Sequence, residues 1–291
     1  MSAAMACFAV EDALLKAATR QMPVGQVLMI FGAVGTIGFA LLAAARGQAL
    51  LPRAARSGAI IARAGFETGA RVFHTFAIAL TPLSLASAIL QAAPLVVVAG
   101  AALVFGERVG WRRWLAVLAG LAGVLVILRP GVEGFTPTAL LAVLGMLGFA
   151  GRDLATRAAP RQIGSFTLAA YGFAAIIPAG ALIMALGEAP APPAPGALAR
   201  IGAAALVGGA GYWAITVAMR MGEVSAVAPF RYARLVFAML LGVAVFGETP
   251  DAATLLGSAV VVGAGLYALA APAPRRFSRP PAGADGADAG G

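Results

Sequence analysis

The chain has 291 residues, 61% of them hydrophobic and 11% charged, with a formal net charge of +9. Soluble domains carry about 45–50% apolar and about 25% charged residues, so this chain has too little polar surface to face water on every side, and its mean hydropathy of +0.91 agrees. A single cysteine, Cys7, and a single histidine, His74, exclude an internal disulfide and a Cys/His metal cluster, and nothing in the composition calls for a cofactor.

Apolar stretches of about 17–25 residues, long enough to cross a hydrocarbon core of about 30 Å as helices, recur along the chain. They fall at 2–19, 24–45, 58–80, 83–105, 112–128, 138–155, 164–187, 197–219, 224–246 and 252–270. This predicts an all-α integral membrane protein of ten transmembrane helices. Pro, Gly and charge mark the breaks, as at Arg20 to Pro23, Arg46 to Arg56, Arg129 to Pro137 and Glu188 to Gly196. Residues 272–291, with Arg275, Arg276 and Arg279 in a Gly/Ala/Asp background, have no apolar periodicity and read as a disordered tail. The N-terminus has no basic leader, and Glu11 and Asp12 interrupt its apolar run, which argues against a removable signal peptide.

The basic residues set the orientation. The even loops and the tail hold thirteen arginines, and the odd loops hold Arg20 and Arg129. The positive-inside rule then predicts both termini in the cytoplasm, with the chain in a bacterial-type inner membrane. Once the loops are assigned, no basic stripe interleaved with aromatics is left to bind nucleic acid. The partners expected are the bilayer and a small molecule, for a monomer or a homodimer.

An internal repeat appears when the sequence is shifted by 141 residues: Asp12 falls on Asp153, Lys16 on Arg157, Gln21 on Gln162 and Ser84 on Ser225. Without a gap, Phe105-Gly106-Glu107 then falls on Phe246-Gly247-Glu248. Five spans per copy is an odd number, so the second copy must enter the membrane from the opposite side. Two inverted five-helix repeats that rock about a central site are a recurrent transporter architecture.

The two Phe-Gly-Glu triplets close the fourth and ninth spans, each ahead of a Gly- and Leu-rich span ending near Pro130 and Pro272. Together with Pro229-Phe230-Arg231-Tyr232-Ala233-Arg234-Leu235, they resemble the EamA-type transporters of the drug/metabolite transporter superfamily. The resemblance covers residues 6–270 and implies repeats at 1–130 and 138–271 around a substrate cavity. Members move amino acids, S-adenosylmethionine, riboflavin and other metabolites, so the resemblance does not name the cargo.

Charges at membrane depth are costly and usually face protein or a watery cavity. Glu67, Arg71 and His74 share one helical face. Arg71 is expected to bind a substrate anion or to pair with Glu67 until substrate displaces it, with Glu67 or His74 relaying a proton; the alternative is a buried ion pair of purely structural use. Arg231 and Arg234, flanked by Phe230 and Tyr232, suit a planar anion, and Pro229 would break the helix beside them; an interfacial anchor is the other reading. Tyr232 and, in the eighth span, Trp213 with Tyr212 are candidates to stack on a ring, as are Phe73 and Phe76, although aromatics in such bundles often only pack.

Asp12 with Lys16, and Asp153 with Arg157, are four residues apart near opposite mouths and could gate them by bridging to the other half, or could be local pairs of small energy. Glu107 and Glu248 are expected to accept hydrogen bonds from the helix that follows each. Together these features predict a secondary transporter of an anionic or zwitterionic metabolite with a planar ring. A passive channel or facilitator shares the composition, and an intramembrane enzyme would need a clustered constellation that one Cys and one His do not supply.

Overall fold

The structure, a computed structural model, describes residues 1–107, 109–129, 136–158, 163–187, 189–221 and 228–270, without the side chains of 53, 215–221, 228 and 229. The tail 272–291, the boundary at Pro130, Arg108, Arg161, Gln162, Ser225 and the Pro229 side chain lie outside the described residues.

Among the described residues the regular structure is entirely helical. The helices are α1 (Ser2–Thr19), α2 (Val24–Ala45), α3 (Gly58–Leu80), α4 (Leu83–Leu90), α5 (Ala93–Phe105) and α6 (Trp111–Leu128). They continue as α7 (Ala139–Ala158), α8 (Ser165–Ala185), α9 (Pro195–Met221), α10 (Ala233–Phe246) and α11 (Ala252–Ala270), with 3-10 turns at Arg53–Arg56 and Ala228–Tyr232.

The expected fourth span is broken: α4 stops at Leu90, and Pro94 sits in the first turn of α5. Proline there donates no hydrogen bond and crowds the carbonyl four residues back, which separates the two helices at Gln91-Ala92. In the second half the Ala228–Tyr232 turn runs into α10 at the equivalent place. The Gln91 amide donates to the Arg231 carbonyl at 3.2 Å, so the two breaks touch.

Among the described residues six runs are long and apolar enough to cross a membrane, namely α2, Leu83–Phe105, α6, α7, α8 and α11. Helices α1 and α3 fall short because each carries three charged residues: Glu11, Asp12 and Lys16 in one, Arg63, Glu67 and Arg71 in the other. The solvent logic is inverted relative to a soluble protein. Ile37, Leu41, Leu103, Leu118, Leu206 and Leu256 point outward, while Glu11, Asp12, Lys16, Glu67 and His74 are buried. Lipid is the environment that accepts such an exterior.

The main helix contacts survive exchange of the two halves. Helix α3 packs on α7 as α9 packs on α1, while α2 meets α8 and α6 meets α11. Shifting α6 by 141 residues gives 252–269, against the observed Ala252–Ala270. Gly123 and Gly257 let the backbones of α6 and α11 come close, a Cβ on Gly257 meeting the Gly123 carbonyl at 2.6 Å.

Candidate functional site

A cavity of about 280 Å³ lies between the halves, walled by α1, α3, α7, α8 and α9, the Gln91 break and the Arg231–Arg234 segment. Five arginines (63, 71, 152, 231 and 234) and three carboxylates (Glu11, Glu67 and Asp153) line it, together with Phe8, Phe39, Phe149, Phe173, Tyr212 and Tyr232. This mixture of guanidinium donors and ring faces fits an organic anion bearing a flat apolar part.

The deep part is organised on α1. Glu11 accepts from Arg71 Nη1 at 2.8 Å, and Asp12 accepts from Arg234 Nη2 at 2.6 Å while lying 3.3 Å from His74 Nε2. Arg71 is sandwiched among the rings of Phe31, Phe149 and Phe173, its guanidinium carbon 5.2, 5.8 and 6.0 Å from their centroids. Gly208 makes room for the Glu11 carboxyl, which any Cβ there would strike, and a Cβ on Gly172 would crowd Glu67.

The outer part is built on α7. Arg152 lies 3.3 Å from Glu67 and 2.8 Å from Asp153, and Asp153 faces Arg231 at 3.8 Å. Arg63 is 3.9 Å from Glu67 and donates to Thr156 Oγ1 and the Leu168 carbonyl, both at 3.0 Å. Exposure rises along this axis, from 4% for the Glu11 side chain to 26% for Arg152 and 43% for Arg231.

The Phe-Gly-Glu triplets have a physical explanation. Gly106 and Gly247 end α5 and α10 at φ of +65° and +67°, a left-handed conformation that glycine adopts without strain. The next amide turns back into the helix, Glu248 N–H donating to the Gly242 carbonyl at 3.0 Å, and the glutamate is aimed across the bundle. Glu248 accepts from the Leu83 and Ser84 amides at 2.5 and 3.0 Å, and Lys16 Nζ lies 3.4 Å away. Lys16 also sits 5.3 Å from the Phe246 ring centroid and donates to the Ile78 and Thr81 carbonyls. At the equivalent positions Arg157 pairs with Glu107 and lies 5.7 Å from the Phe105 ring. Burial alone would raise the Glu248 carboxyl, but the Ser84 and Leu83 amides, the Ser84 hydroxyl and the Lys16 charge together hold it below its ordinary value.

Several expectations change. Arg71 pairs with Glu11 rather than Glu67, which turns to Arg152, because α1 packs against α3 on the side where Arg71 emerges. Asp12 and Lys16 point to different partners instead of to each other, as do Asp153 and Arg157. Glu248 caps α4 in the other half rather than the following helix, since Asp251 already accepts from the Thr254 amide at 2.8 Å there. His74 is buried against Asp12 and Phe149 and does not line the cavity. Trp213 does not either, being 55% exposed on the outer face of α9, and neither Phe73 nor Phe76 lines it. Arg71, Glu67, Asp153, Arg231, Tyr232 and Arg234 do line it.

Glu11, Arg63 and Arg152 were not assigned to the site from sequence. Glu11 and Arg152 are equivalent under the 141-residue shift, as are Glu67 and Gly208, and Arg71 and Tyr212; that signal was available. Among the described residues no group of His, Cys, Asp and Glu suits a metal ion.

An EamA-like transporter family model matches residues 1–129 and again 136–270. A riboflavin transporter of Rhizobium johnstonii is 31% identical over 65% of this chain and 63% of its own, and an S-adenosylmethionine uptake transporter of Rickettsia bellii is 27% identical over 66% of each. The chain thus spans about two thirds of the length of these relatives. The pseudopaline exporter CntI of Pseudomonas aeruginosa is 27% identical over 88% of this chain and 89% of its own. A solved crystal structure with 22% identity superposes at a TM-score of 0.63, covering 92% of this chain and 98% of the other. With both halves matched over nearly their full length, the chain belongs to the EamA-like transporter family.

Proposed function

We propose that this protein is a secondary transporter of the inner membrane that moves a small anionic or zwitterionic metabolite with a planar ring by alternating access. In this reading ten spans cross the bilayer, 1–130 and 138–271 are inverted repeats, and both termini are cytoplasmic. The observation that carries it is the cavity between the halves, rich in arginine and aromatic side chains, whose wall becomes more exposed from Glu11 to Arg231. In this reading the buried Lys16–Glu248 pair closes one end and the exposed Arg157–Glu107 pair flanks the other. With the orientation predicted from the arginines, the conformation is one open to the cytoplasm. A passive channel would need a path through both ends, and in this reading the buried Lys16–Glu248 pair blocks one of them.

The relatives support a small-metabolite cargo and differ in direction, two being named for uptake or transport and one for export. The substrate here is expected to lodge its anionic group on Arg71, with Arg234, held by Asp12, flanking it, and its ring against Phe39, Phe173 and Tyr212. Uptake and efflux by right-side-out and inverted vesicles against a metabolite panel tests this. Saturable, competable transport of a member, weakened by Arg234→Ala, is expected. Non-saturating flux sinks the carrier reading, and unchanged affinity in Arg234→Ala sinks the site.

A further inference from the structure

We infer that Glu11 is the proton acceptor that couples transport to proton movement, ceding Arg71 to a carboxylate on the substrate; this rests on the transporter reading above. Glu11 lines the cavity, is 3% exposed, and has as its described ion-pair partner the Arg71 guanidinium that faces the same space. Arg71 Nε is buried without a hydrogen-bond partner among the described residues, and three phenyl rings hold the guanidinium in place. A carboxylate entering from the wide mouth meets a fixed guanidinium, 12% exposed to the same space, and competes with Glu11 for it.

That exchange leaves one negative charge too many in an enclosed site, and the carboxylate deprived of its cation is the one that protonates. Asp12 keeps Arg234 at 2.6 Å and His74 at 3.3 Å and does not line the cavity. Glu67 keeps Arg152 at 3.3 Å and Arg63 at 3.9 Å, and Asp153 keeps Arg152 at 2.8 Å. Glu11 is the carboxylate whose cation is the one contested.

The charged groups facing it are Asp12 on α1, Arg71 on α3 and Arg234 on α10, with His74 behind Asp12; α9 presents Gly208, whose missing side chain leaves the carboxyl space. In the exchange an O–H bond forms at a Glu11 carboxyl oxygen as an O–H bond of a hydronium ion in the wide mouth breaks, leaving water. The substrate's negative charge replaces that of Glu11, and the site's net charge is unchanged. One anion and one proton cross together, and release of the anion on the far side returns Arg71 to Glu11 and frees the proton.

Two measurements test this. Purified wild-type protein in weakly buffered detergent is mixed in turn with glutamate, S-adenosylmethionine and riboflavin. About one proton is taken up per carboxylate-bearing ligand bound and none with riboflavin, which has no carboxylate; binding of a carboxylate without proton uptake overturns the inference. In proteoliposomes a pH difference of about one unit concentrates a co-transported monoanion about tenfold. Glu11→Gln abolishes that accumulation and retains equilibrium exchange of the same compound. Accumulation that persists in Glu11→Gln overturns the inference, and so does loss of exchange in a variant that elutes and melts as wild type does, since Glu11 is then a binding group. A chain that exchanges no member of the panel sinks the transporter reading, and this inference with it.

Discussion

Lys16 Nζ lies 3.4 Å from Glu248 Oε1 with both side chains 8% exposed, whereas the pair at the equivalent positions, Arg157 and Glu107, is 53% and 42% exposed. The same chemistry thus occurs twice, in a dry place and a wet one. Removing the Glu248 charge weakens bonds that close a mouth, each charge-assisted bond contributing about 1.5–3 kcal/mol. The exposed pair contributes about 0–1 kcal/mol. In a Cys7→Ser background, Glu248→Gln should therefore raise modification of a cysteine placed at Ala86, buried in the first turn of α4, at least about tenfold, and Glu107→Gln should leave it near the wild-type rate. Equal rates in the two variants would refute the latch.

Acid should loosen the same mouth. Glu248 is held below its ordinary carboxyl value of 4.5, so its contribution is fully present above that pH and is lost as pH falls through the lower folded value. Modification at Ala86→Cys, divided by that of a free thiol at the same pH so that loss of thiolate cancels, should rise as pH drops below 4.5 and should lose that rise in Glu248→Gln. A ratio to the free thiol that stays constant with pH in the parent would show that the carboxylate does not hold the mouth.

The span pattern was legible because a membrane helix needs little more than length and apolarity, and α2, α6 and α11 follow their expected bounds closely. The break at Gln91 was not foreseen, since Pro94 sits in an otherwise continuous apolar run and only its position against the cavity shows its use. Arg71, Arg231 and Arg234 could be picked out because charge at depth is conspicuous. Their partners could not be. Which carboxylate meets Arg71 depends on how α1 rolls against α3, and helical spacing within α3 favours the wrong neighbour, Glu67. Arg152 falls near the end of the 138–155 span, where sequence alone gives no inward direction, although its equivalence to Glu11 under the repeat matches their shared place on the cavity wall.

Asp12 and Arg234 should behave as one unit. Asp12 is fully buried, and removing one partner of a buried pair costs about 3–5 kcal/mol because the other is left unpaired. Arg234→Gln alone and Asp12→Asn alone should each lower the melting temperature in detergent more than half as much as the double variant does. Additive losses would mean that the pair is uncoupled and that His74 alone settles Asp12.

Two glycines of α11 should respond in opposite ways to a larger side chain. Gly257 faces the Gly123 carbonyl at 2.6 Å from an ideal Cβ, and backbone cannot yield as a flexible side-chain tip would. Gly257→Val should then separate α6 from α11 at a cost of about 1–3 kcal/mol, read as a lower melting temperature. Gly263 has no heavy atom within 4 Å of the same construction and an ordinary helical backbone, so Gly263→Ala should be neutral or raise stability by up to about 1 kcal/mol. Neither residue lines the cavity, and both variants should bind substrate with wild-type affinity where they fold. Reduced affinity in Gly263→Ala would mean that α11 moves as part of the binding site and does not merely brace it from outside.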